Sequence, residues 1–172
     1  MSGPTPEFSR CVLVARLGSE PFRQRIEATV QECERIAQRL DLISLDRLTA
    51  VVTLHRQTGG LIRLEAAFEA EFAQTCVITL DPVPAKIAQN FALLYGPTEE
   101  EQAEIALDVE EPVFEALSGD AIDIGEAVTQ ELSLALPEFP RLPEAVVEPL
   151  TTDEPQEGPF SELTKLRGSP QY

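Results

Sequence analysis

Residues 61–76, LIRLEAAFEAEFAQTC, alternate between apolar and charged side chains over almost their whole length. The apolar side of this pattern consists of Ile62, Leu64, Ala66, Phe68, Ala70 and Phe72. The opposite side carries Arg63, Glu65, Glu69 and Glu71. A period of two residues with one charged face is typical of a strand in an antiparallel sheet that is buried on one side only. The chain must therefore build a core against one face of a sheet.

Two other stretches, residues 21–28 (PFRQRIEA) and 83–96 (VPAKIAQNFALLYG), show the same alternation and predict further strands. Residues 8–16 (FSRCVLVAR) and 45–57 (LDRLTAVVTLHRQ) are interpreted as strands next to the alternating ones. We expect the first two to pair with each other. The turn formed by Thr58, Gly59 and Gly60 offers residues that tolerate positive φ, so the third stretch and residues 61–76 should form a hairpin. With at most a further short strand near Val113, the prediction is an antiparallel sheet of about five strands.

The first predicted helix covers residues 30–40. Thr29 and Glu32 have the spacing of a capping box immediately before an apolar period of 3.6 residues. The apolar face consists of Val30, Cys33, Ile36, Ala37 and Leu40. Cys33 is therefore expected in the core.

The second predicted helix covers residues 123–136. Asp123 and Glu126 repeat the capping-box spacing, their charges suit the positive end of the helix dipole, and Pro137 ends the helix. Its core-facing side consists of Ile124, Ala127, Val128, Leu132 and Ala135. The fold class is therefore α+β, with two main helices and an antiparallel sheet.

Length and composition favour one domain with a tail. The chain has 172 residues, of which 43% are hydrophobic, so residues 1–140 can form a single α+β domain. Pro97 and Pro112 punctuate an acidic loop after Gly96. The Pro- and acid-rich residues 141–172 predict a flexible, poorly ordered tail. Within this tail, residues 159–166 form a short amphipathic segment that could dock on another surface.

Cysteine use and hydropathy indicate the compartment. The three cysteines, Cys11, Cys33 and Cys76, are widely spaced and odd in number, which favours reduced thiols and a cytoplasmic protein. The longest apolar runs are far shorter than the roughly 20 residues that span a bilayer. We therefore expect neither a disulfide framework nor a membrane partner.

The acidic charge is distributed unevenly. The net charge is -17, and residues 87–140 contain thirteen acids but no Lys or Arg. Such a surface repels phosphate backbones, so direct binding to RNA or DNA is disfavoured and a basic protein is the expected partner. The candidate partner-binding residues are Glu110, Glu111, Asp120, Asp123, Glu126 and Glu131.

No catalytic or metal-binding constellation is apparent. His55 is the only histidine, and it lies on the more polar face of a predicted strand. The sequence has no Gly-rich phosphate loop, no nucleophile elbow, and no His, Cys and carboxylate cluster with metal-ligand spacing. Carboxylates in a segment without bases are more typical of a solvated surface than of an acid/base pair. We therefore predict neither an enzyme nor a small-molecule substrate, and no cofactor.

The order of these features resembles the YceD family, the large ribosomal RNA subunit accumulation proteins of bacteria and plastids. The most specific part is the acidic helix with its LALPEFP exit; the matching residues are Ile122, Asp123, Glu126, Glu131, Leu132, Leu134, Leu136, Pro137 and Pro140, with Pro159, Phe160 and Leu163 in the tail. The resemblance implies a role in accumulating 23S ribosomal RNA, hence in making the large ribosomal subunit. It implies no catalytic activity.

The sequence departs from the family pattern at one place. Many members carry Cys-x-x-Cys at the end of the long strand and a stretch with His and Cys after the acidic helix, which together could hold zinc. Here Ala73 replaces the first cysteine, Thr75 replaces an Arg, and residues 141–148 contain neither His nor Cys. Structural zinc takes four ligands, which Cys76 alone does not supply. We predict no metal, with Cys76 as a packed or partly buried thiol.

Two function classes follow from the charge and the resemblance. In the first, a non-catalytic interaction protein of large-subunit assembly binds a basic ribosomal or assembly protein, and contact with ribosomal RNA is indirect. In the second, an acidic inhibitor or nucleic-acid mimic occupies the basic cleft of a ribonuclease. An acidic surface that serves only solubility is a third interpretation. Co-sedimentation with assembly intermediates distinguishes the first class, and inhibition of a purified ribonuclease distinguishes the second.

Overall fold

The computed structural model describes residues 6–96, 113–117 and 119–146. The elements in these residues, in chain order, are β1 (Cys11–Leu13), β2 (Phe22–Glu27), α1 (Val30–Arg39), β3 (Ser44–Arg56), β4 (Ile62–Thr75), β5 (Pro82–Gly96), β6 (Val113–Ala116), β7 (Ala121–Asp123) and α2 (Ile124–Ala135). The fold is α+β, as the sequence predicts.

The main sheet has five strands in the order β2-β3-β4-β5-β6. The pairs from β2 to β5 are antiparallel, and a tight turn with Gly59 and Gly60 at positive φ joins β3 to β4 as expected. β6 confirms the short strand predicted near Val113, but it runs parallel to β5, with Leu93 opposite Val113. The sheet is therefore mixed. Parallel strands cannot be joined by a tight hairpin, and residues 97–112 provide enough chain for the crossover that a parallel pair needs.

The two faces of β4 differ as its alternation predicts. The side chains at even positions from Ile62 to Phe72 are buried, and Glu65 and Glu69 on the other face are exposed. Phe68 and Phe91 of the neighbouring strand make an edge-to-face contact on the buried side, with ring centroids 6.1 Å apart. The sheet thus has one covered and one solvated face.

β1 is not part of the main sheet. The sequence suggests that it pairs with β2, but it pairs instead with β7, with Val12 opposite Ile122. Two flanking backbone bonds extend this pairing: the Val14 N–H donates to the Asp120 carbonyl (2.8 Å), and the Ile124 N–H donates to the Arg10 carbonyl (3.1 Å). The backbone groups of residues 10–14 are therefore bonded to β7 and to the first residue of α2, so they do not pair with β2.

Both helices begin and end close to the predicted residues. α1 begins after Thr29, and both hydrogen bonds of its capping box with Glu32 are formed. Cys33 is buried as expected, but Val30 is exposed and does not belong to the apolar face. α2 begins after Asp123, whose carboxylate accepts the N–H groups of the first turn.

One hydrophobic core joins both helices to the covered face of the sheet. Ile36 of α1, Leu132 of α2 and Phe68 of β4 are almost fully buried in it. Burying a side chain of this size contributes about 1.5 to 3 kcal/mol relative to leaving it exposed. The two helices therefore have fixed positions on one face, which places the acidic residues at their ends.

Several predicted features lie outside the described residues. These are the acidic loop 97–112, including Glu110 and Glu111, and the amphipathic segment 159–166 of the tail. Neither helix in the described part of the chain has the length and hydropathy needed to cross a bilayer.

Candidate functional site

The first group of acidic side chains forms an N-terminal clamp, made of Ser9, Arg10, Glu32 and Asp123. The Arg10 guanidinium donates to both Glu32 carboxylate oxygens, at 2.8 and 3.0 Å. Its backbone N–H donates to Asp123 Oδ1 at 2.7 Å. The same guanidinium lies 4.6 Å from the centroid of the buried Phe8 ring. Arg10 therefore connects the N-terminal ends of α1 and α2.

The Asp123 carboxylate accepts several hydrogen bonds within the clamp. Besides Arg10, its carboxylate accepts hydrogen bonds from the Ser9 hydroxyl and from the backbone N–H groups of Gly125 (3.1 Å) and Glu126 (3.2 Å). These donors occupy both carboxylate oxygens. Asp123 is thus an N-cap that also holds the N-terminal segment, and it has little capacity left for a partner.

Gly125 is required by this close packing. A Cβ atom at this position would collide with the Phe8 carbonyl oxygen and lie 3.1 Å from the Arg10 nitrogen. Both obstacles are backbone atoms, which cannot rotate away as a flexible side chain can. The glycine therefore lets the N-terminal segment cross directly over the first turn of α2.

Glu126 is neutralised by a base from a distant part of the chain. Its oxygens accept hydrogen bonds from Arg39 at 2.7 and 2.9 Å, and Arg39 also binds Glu7 at 2.9 Å. These two carboxylates raise the pKa of Arg39. Glu126 therefore does not complete the predicted capping box with Asp123, because its carboxylate turns towards α1.

Glu32 shows how strongly the clamp favours ionised carboxylates. The hydrogen bonds from Arg10 lower the pKa of Glu32 to about 2, with further help from the backbone and hydroxyl of Thr29 and against the effect of burial. Its side chain is 13% exposed. Arg10 and Thr29 together therefore bind this charge much as a basic partner would.

The second group of acids lines a cleft of about 250 Å³ between β6 and α2. We call this the acidic cleft; its polar lining consists of Tyr95, Glu115, Asp123, Glu126 and Gln130. Glu131 does not line the cleft, but it lies close enough to Glu115 for their charges to repel. Tyr95 and Glu115 are brought together by the parallel register of β5 and β6, in which they are directly opposite.

The surroundings of the acidic cleft disfavour the ionised forms of Glu131 and Tyr95. Burial, followed by the charge of Glu115, raises the pKa of Glu131. Tyr95 is 8% exposed, and burial together with Glu115 raises the pKa of its hydroxyl. Within the described ranges, neither Glu115 nor Glu131 forms an ion pair with a Lys, Arg or His side chain. In the described residues, Glu115 and Glu131 are therefore acids without a basic partner, unlike Glu126 of the same cleft, which pairs with Arg39.

The structure thus divides the six predicted partner-binding residues. Asp123 and Glu126 line the acidic cleft but are engaged by Arg10 and Arg39, Glu131 lies near the cleft residue Glu115, and Asp120 is exposed just before the cleft residue Ala121. Glu110 and Glu111 are outside the described residues. Sequence reasoning did not select Glu115 or Tyr95: the alternation of residues 83–96 includes Tyr95, but Glu115 follows an acidic loop in which only a short strand is expected.

Cys76 and His55 do not form a chemical site. The Cys76 thiol is fully buried, and hydrogen bonds from the Thr79 side chain and backbone, with backbone N–H groups of Leu142 and Ile78, lower its pKa to about 6. His55 lies on the solvated face of β3, 3.9 Å from Glu65. Among the described residues, no group of three or more His, Cys, Asp or Glu is arranged to hold a metal. The residues around Cys76 therefore do not fit the zinc that the family resemblance suggests.

Comparison with known proteins gives one match. Residues 64–167, more than half of the chain, match the family model described as large ribosomal RNA subunit accumulation protein YceD. The matched region begins in β4 and includes both the acidic cleft and α2. No curated protein and no solved structure matches the chain. The chain belongs to the YceD family.

Proposed function

We propose that this protein supports the accumulation of 23S ribosomal RNA and the assembly of the large ribosomal subunit by binding a basic protein at the acidic cleft. The family description supplies the process. The observation that supports the binding site is the Glu115 and Glu131 pair: within the part of the chain that the structure describes, neither forms an ion pair with a base, although Glu126 nearby does. The role is an interaction, not a catalytic step, and it belongs in the cytoplasm.

The charge distribution favours a basic protein over RNA. The net charge of -17 and the lack of Lys and Arg in residues 87–140 disfavour a phosphate backbone at the acidic cleft, so the influence on ribosomal RNA is indirect. A Lys or Arg side chain placed between Glu115 and Glu131 would relieve their repulsion. Asp120, exposed next to the cleft, would extend the same surface. Ribosomal and assembly proteins that are rich in Lys and Arg are the partners with this chemistry.

The electrostatic origin of the interaction has consequences for its kinetics and affinity. Complementary charges accelerate association, and salt screens them over a Debye length of about 8 Å at physiological ionic strength. Binding should therefore weaken steeply as salt is added. A bound cation should also lower the pKa of Glu131 towards its ordinary value or below.

The decisive experiment compares two variants of equal net charge. Glu115→Gln with Glu131→Gln removes the two charges of this pair, and Glu34→Gln with Glu69→Gln removes two exposed charges elsewhere, on α1 and β4. Each protein is used to capture partners from a lysate at low and high salt, and the captured proteins and RNA are identified. We expect the cleft variant to lose a basic protein of the large subunit that the control retains.

The rival function is tested with the same variants. Co-sedimentation with large-subunit assembly intermediates that depends on the cleft supports the proposal. Inhibition of a purified ribonuclease without ribosomes, lost in the cleft variant, would instead establish the acidic inhibitor or nucleic-acid mimic. Equal binding by both variants would show that the cleft is not the binding site.

A further inference from the structure

Large apolar side chains are exposed together at one end of the molecule. Five of them lie on the segments that meet where β4 ends: Ile43, Val77, Leu80, Phe139 and Val146. The exposed fractions of Leu80, Phe139 and Val146 are 75%, 69% and 76%. Single exposed apolar residues are ordinary, whereas a large contiguous group of them is typical of an interaction surface. We call these five residues the apolar end patch.

Backbone hydrogen bonds join the chain segments that contain the patch residues. The Val77 N–H donates to the Pro140 carbonyl at 3.0 Å, which joins the turn after β4 to the segment after α2. The Ile43 N–H donates to the Ala73 carbonyl at 2.8 Å, which brings the segment after α1 to the same end. The patch is therefore assembled from three parts of the fold and is not one irregular loop.

The turn that carries Leu80 is rigidly built. The Cys76 N–H donates to the Asp81 carbonyl at 2.8 Å, and the Leu80 N–H donates to the Cys76 carbonyl at 3.0 Å. Leu80 has φ of 65°, a conformation that side chains other than Gly, Asn and Asp rarely adopt. The turn thus fixes an apolar side chain in solvent, as a preorganised binding surface does.

More acids than bases adjoin the patch residues in the chain. Asp81 follows Leu80, Glu138 precedes Phe139, and Glu144 lies near Val146; all three acids are exposed, as is one base, Arg141. An occupant of this surface therefore needs apolar side chains for the centre and positive charges for the rim.

We propose that residues 159–167 of the same chain dock on the apolar end patch, with Phe160, Leu163 and Leu166 covering it. Lys165 and Arg167 are the only bases that follow Arg141, and they flank these apolar residues. They are the positive charges that the rim of Asp81, Glu138 and Glu144 calls for. The segment also contains one acid, Glu162, so two bases and one acid leave it with a net charge of +1. It therefore matches the patch in hydrophobicity and in the sign of its net charge.

The connection between the described residues and the segment is long enough for the segment to reach the patch. The described part of the chain ends at Val146, which is itself a patch residue, and residues 147–158 connect it to Pro159. At about 3.3 Å per residue, this connection reaches up to about 40 Å, more than enough to return to the patch. A short tether also gives an effective concentration in the millimolar range. The family match ends at residue 167, so it includes the whole docking segment.

A second copy of the chain is a weaker candidate for the same surface. Two copies would each bring a net charge of -17, and their mutual repulsion opposes association. Docking within one chain adds no such repulsion. It also needs no concentration of a partner.

The test places a spin label on the tail of the full-length protein. Cys11→Ser removes the exposed native thiol, and Ser161→Cys supplies the labelling site, while Cys33 and Cys76 are buried. We expect the amide NMR signals of Val77, Leu80 and Phe139 to lose most of their intensity. The signals of Ala67 and Ala88, on the solvated face of the sheet, should keep theirs.

A matched pair of variants separates docking from mere tethering. Phe160→Ser should restore the intensities at the patch, whereas Leu150→Ser, the same type of change in the connection, should leave the loss in place. Loss that survives Phe160→Ser, loss centred elsewhere, or no loss at all would overturn the proposal. Loss seen only between labelled and unlabelled copies in a mixed sample would also overturn it and would assign the patch to a second copy.

Discussion

The N-terminal clamp and the acidic cleft are built from the same kinds of residue but treat negative charge in opposite ways. In the clamp, Glu32 and Asp123 accept several hydrogen bonds each, and Arg10 supplies the positive charge. At the cleft, Glu115 lies opposite the buried Tyr95 and close enough to Glu131 for their charges to repel. An acid-rich stretch of sequence therefore does not show which acids lack a basic partner. The fold decides this, because it places the few bases beside some acids and not beside others.

The two regions also differ in what ionisation does to the fold. Hydrogen bonds from Arg10 lower the pKa of Glu32, so ionisation of Glu32 stabilises the folded state. Burial raises the pKa of Glu131, so ionisation of Glu131 opposes folding. An ionised carboxylate that opposes folding lowers the free energy of unfolding. At a binding site, a bound cation stabilises the ionised carboxylate and offsets this loss.

The largest effect is expected at Asp123. Asp123→Ala removes the N-cap of α2 and leaves the Arg10 and Gly125 N–H groups without their acceptor, so the free energy of unfolding should fall by about 2 to 4 kcal/mol. Chemical denaturation measures this loss. Asp123→Asn keeps one carbonyl oxygen in place and should cost about 1 kcal/mol or less. Equal losses for both variants would show that the clamp does not depend on this acceptor.

Glu32→Gln should have the next largest effect, about 1 to 3 kcal/mol, because it removes a charged hydrogen-bond acceptor and weakens a capping box. The pKa of Glu32 is lowered from 4.5 to about 2, so its stabilisation is complete above pH 4.5 and disappears as the pH falls towards 2. Thermal unfolding between pH 2 and pH 6 should show this loss in the wild type and a smaller one in the variant.

The control for this prediction is Glu34→Gln, an exposed position on the same helix. It should change the free energy of unfolding by less than about 0.5 kcal/mol at every pH. A similar pH dependence in all three proteins would contradict the assignment of the effect to Glu32.

Glu126→Gln should have a smaller effect, below about 1 kcal/mol, because its ion pair with Arg39 is partly solvated. A double-mutant cycle with Arg39→Met measures the coupling between the two side chains. The coupling should decrease as salt is added. Weaker capture of the basic partner by Glu126→Gln than by Glu131→Gln would reverse the ranking of these residues as binding sites.

Glu131→Gln should have the smallest effect on stability, within about 0.5 kcal/mol and in the stabilising direction at neutral pH. Its pKa is raised in the folded state, so the wild type gains stability as the pH falls and Glu131 takes up a proton. The advantage of the variant should therefore shrink in acid. Thermal unfolding at pH 7 and pH 4 tests this, and a clear loss of stability at pH 7 would show that Glu131 supports the fold.

Local patterns predicted most of the fold. The alternation in β4 and the capping box of Thr29 and Glu32 involve residues close in the chain, and both are confirmed. The burial of Cys33 and Leu132 follows from the same helical period. Such features are decided by neighbours a few positions away, which a sequence displays directly.

The features that sequence reasoning missed depend on distant pairings. β1 pairs with β7 and not with β2. This pairing was missed because the two strands lie more than 100 residues apart in the chain. The interaction of Glu126 with Arg39 spans 87 positions, and no periodic pattern reveals it. Glu115 and Tyr95 meet through a parallel register that alternation alone leaves open. The candidate site consists mainly of such contacts, so it was predicted less completely than the fold.

The close crossing of Phe8 over Gly125 has a consequence for how the chain folds during synthesis. The partners of residues 8–10 at the start of α2 leave the ribosome more than 110 residues after them. The strands from β2 to β5 can pair with their sequence neighbours in the meantime, since hairpins need no distant segment. Residues 8–10 are thus fixed in place later than the strands that are made after them, and the N-cap of α2 is complete only when they return to it.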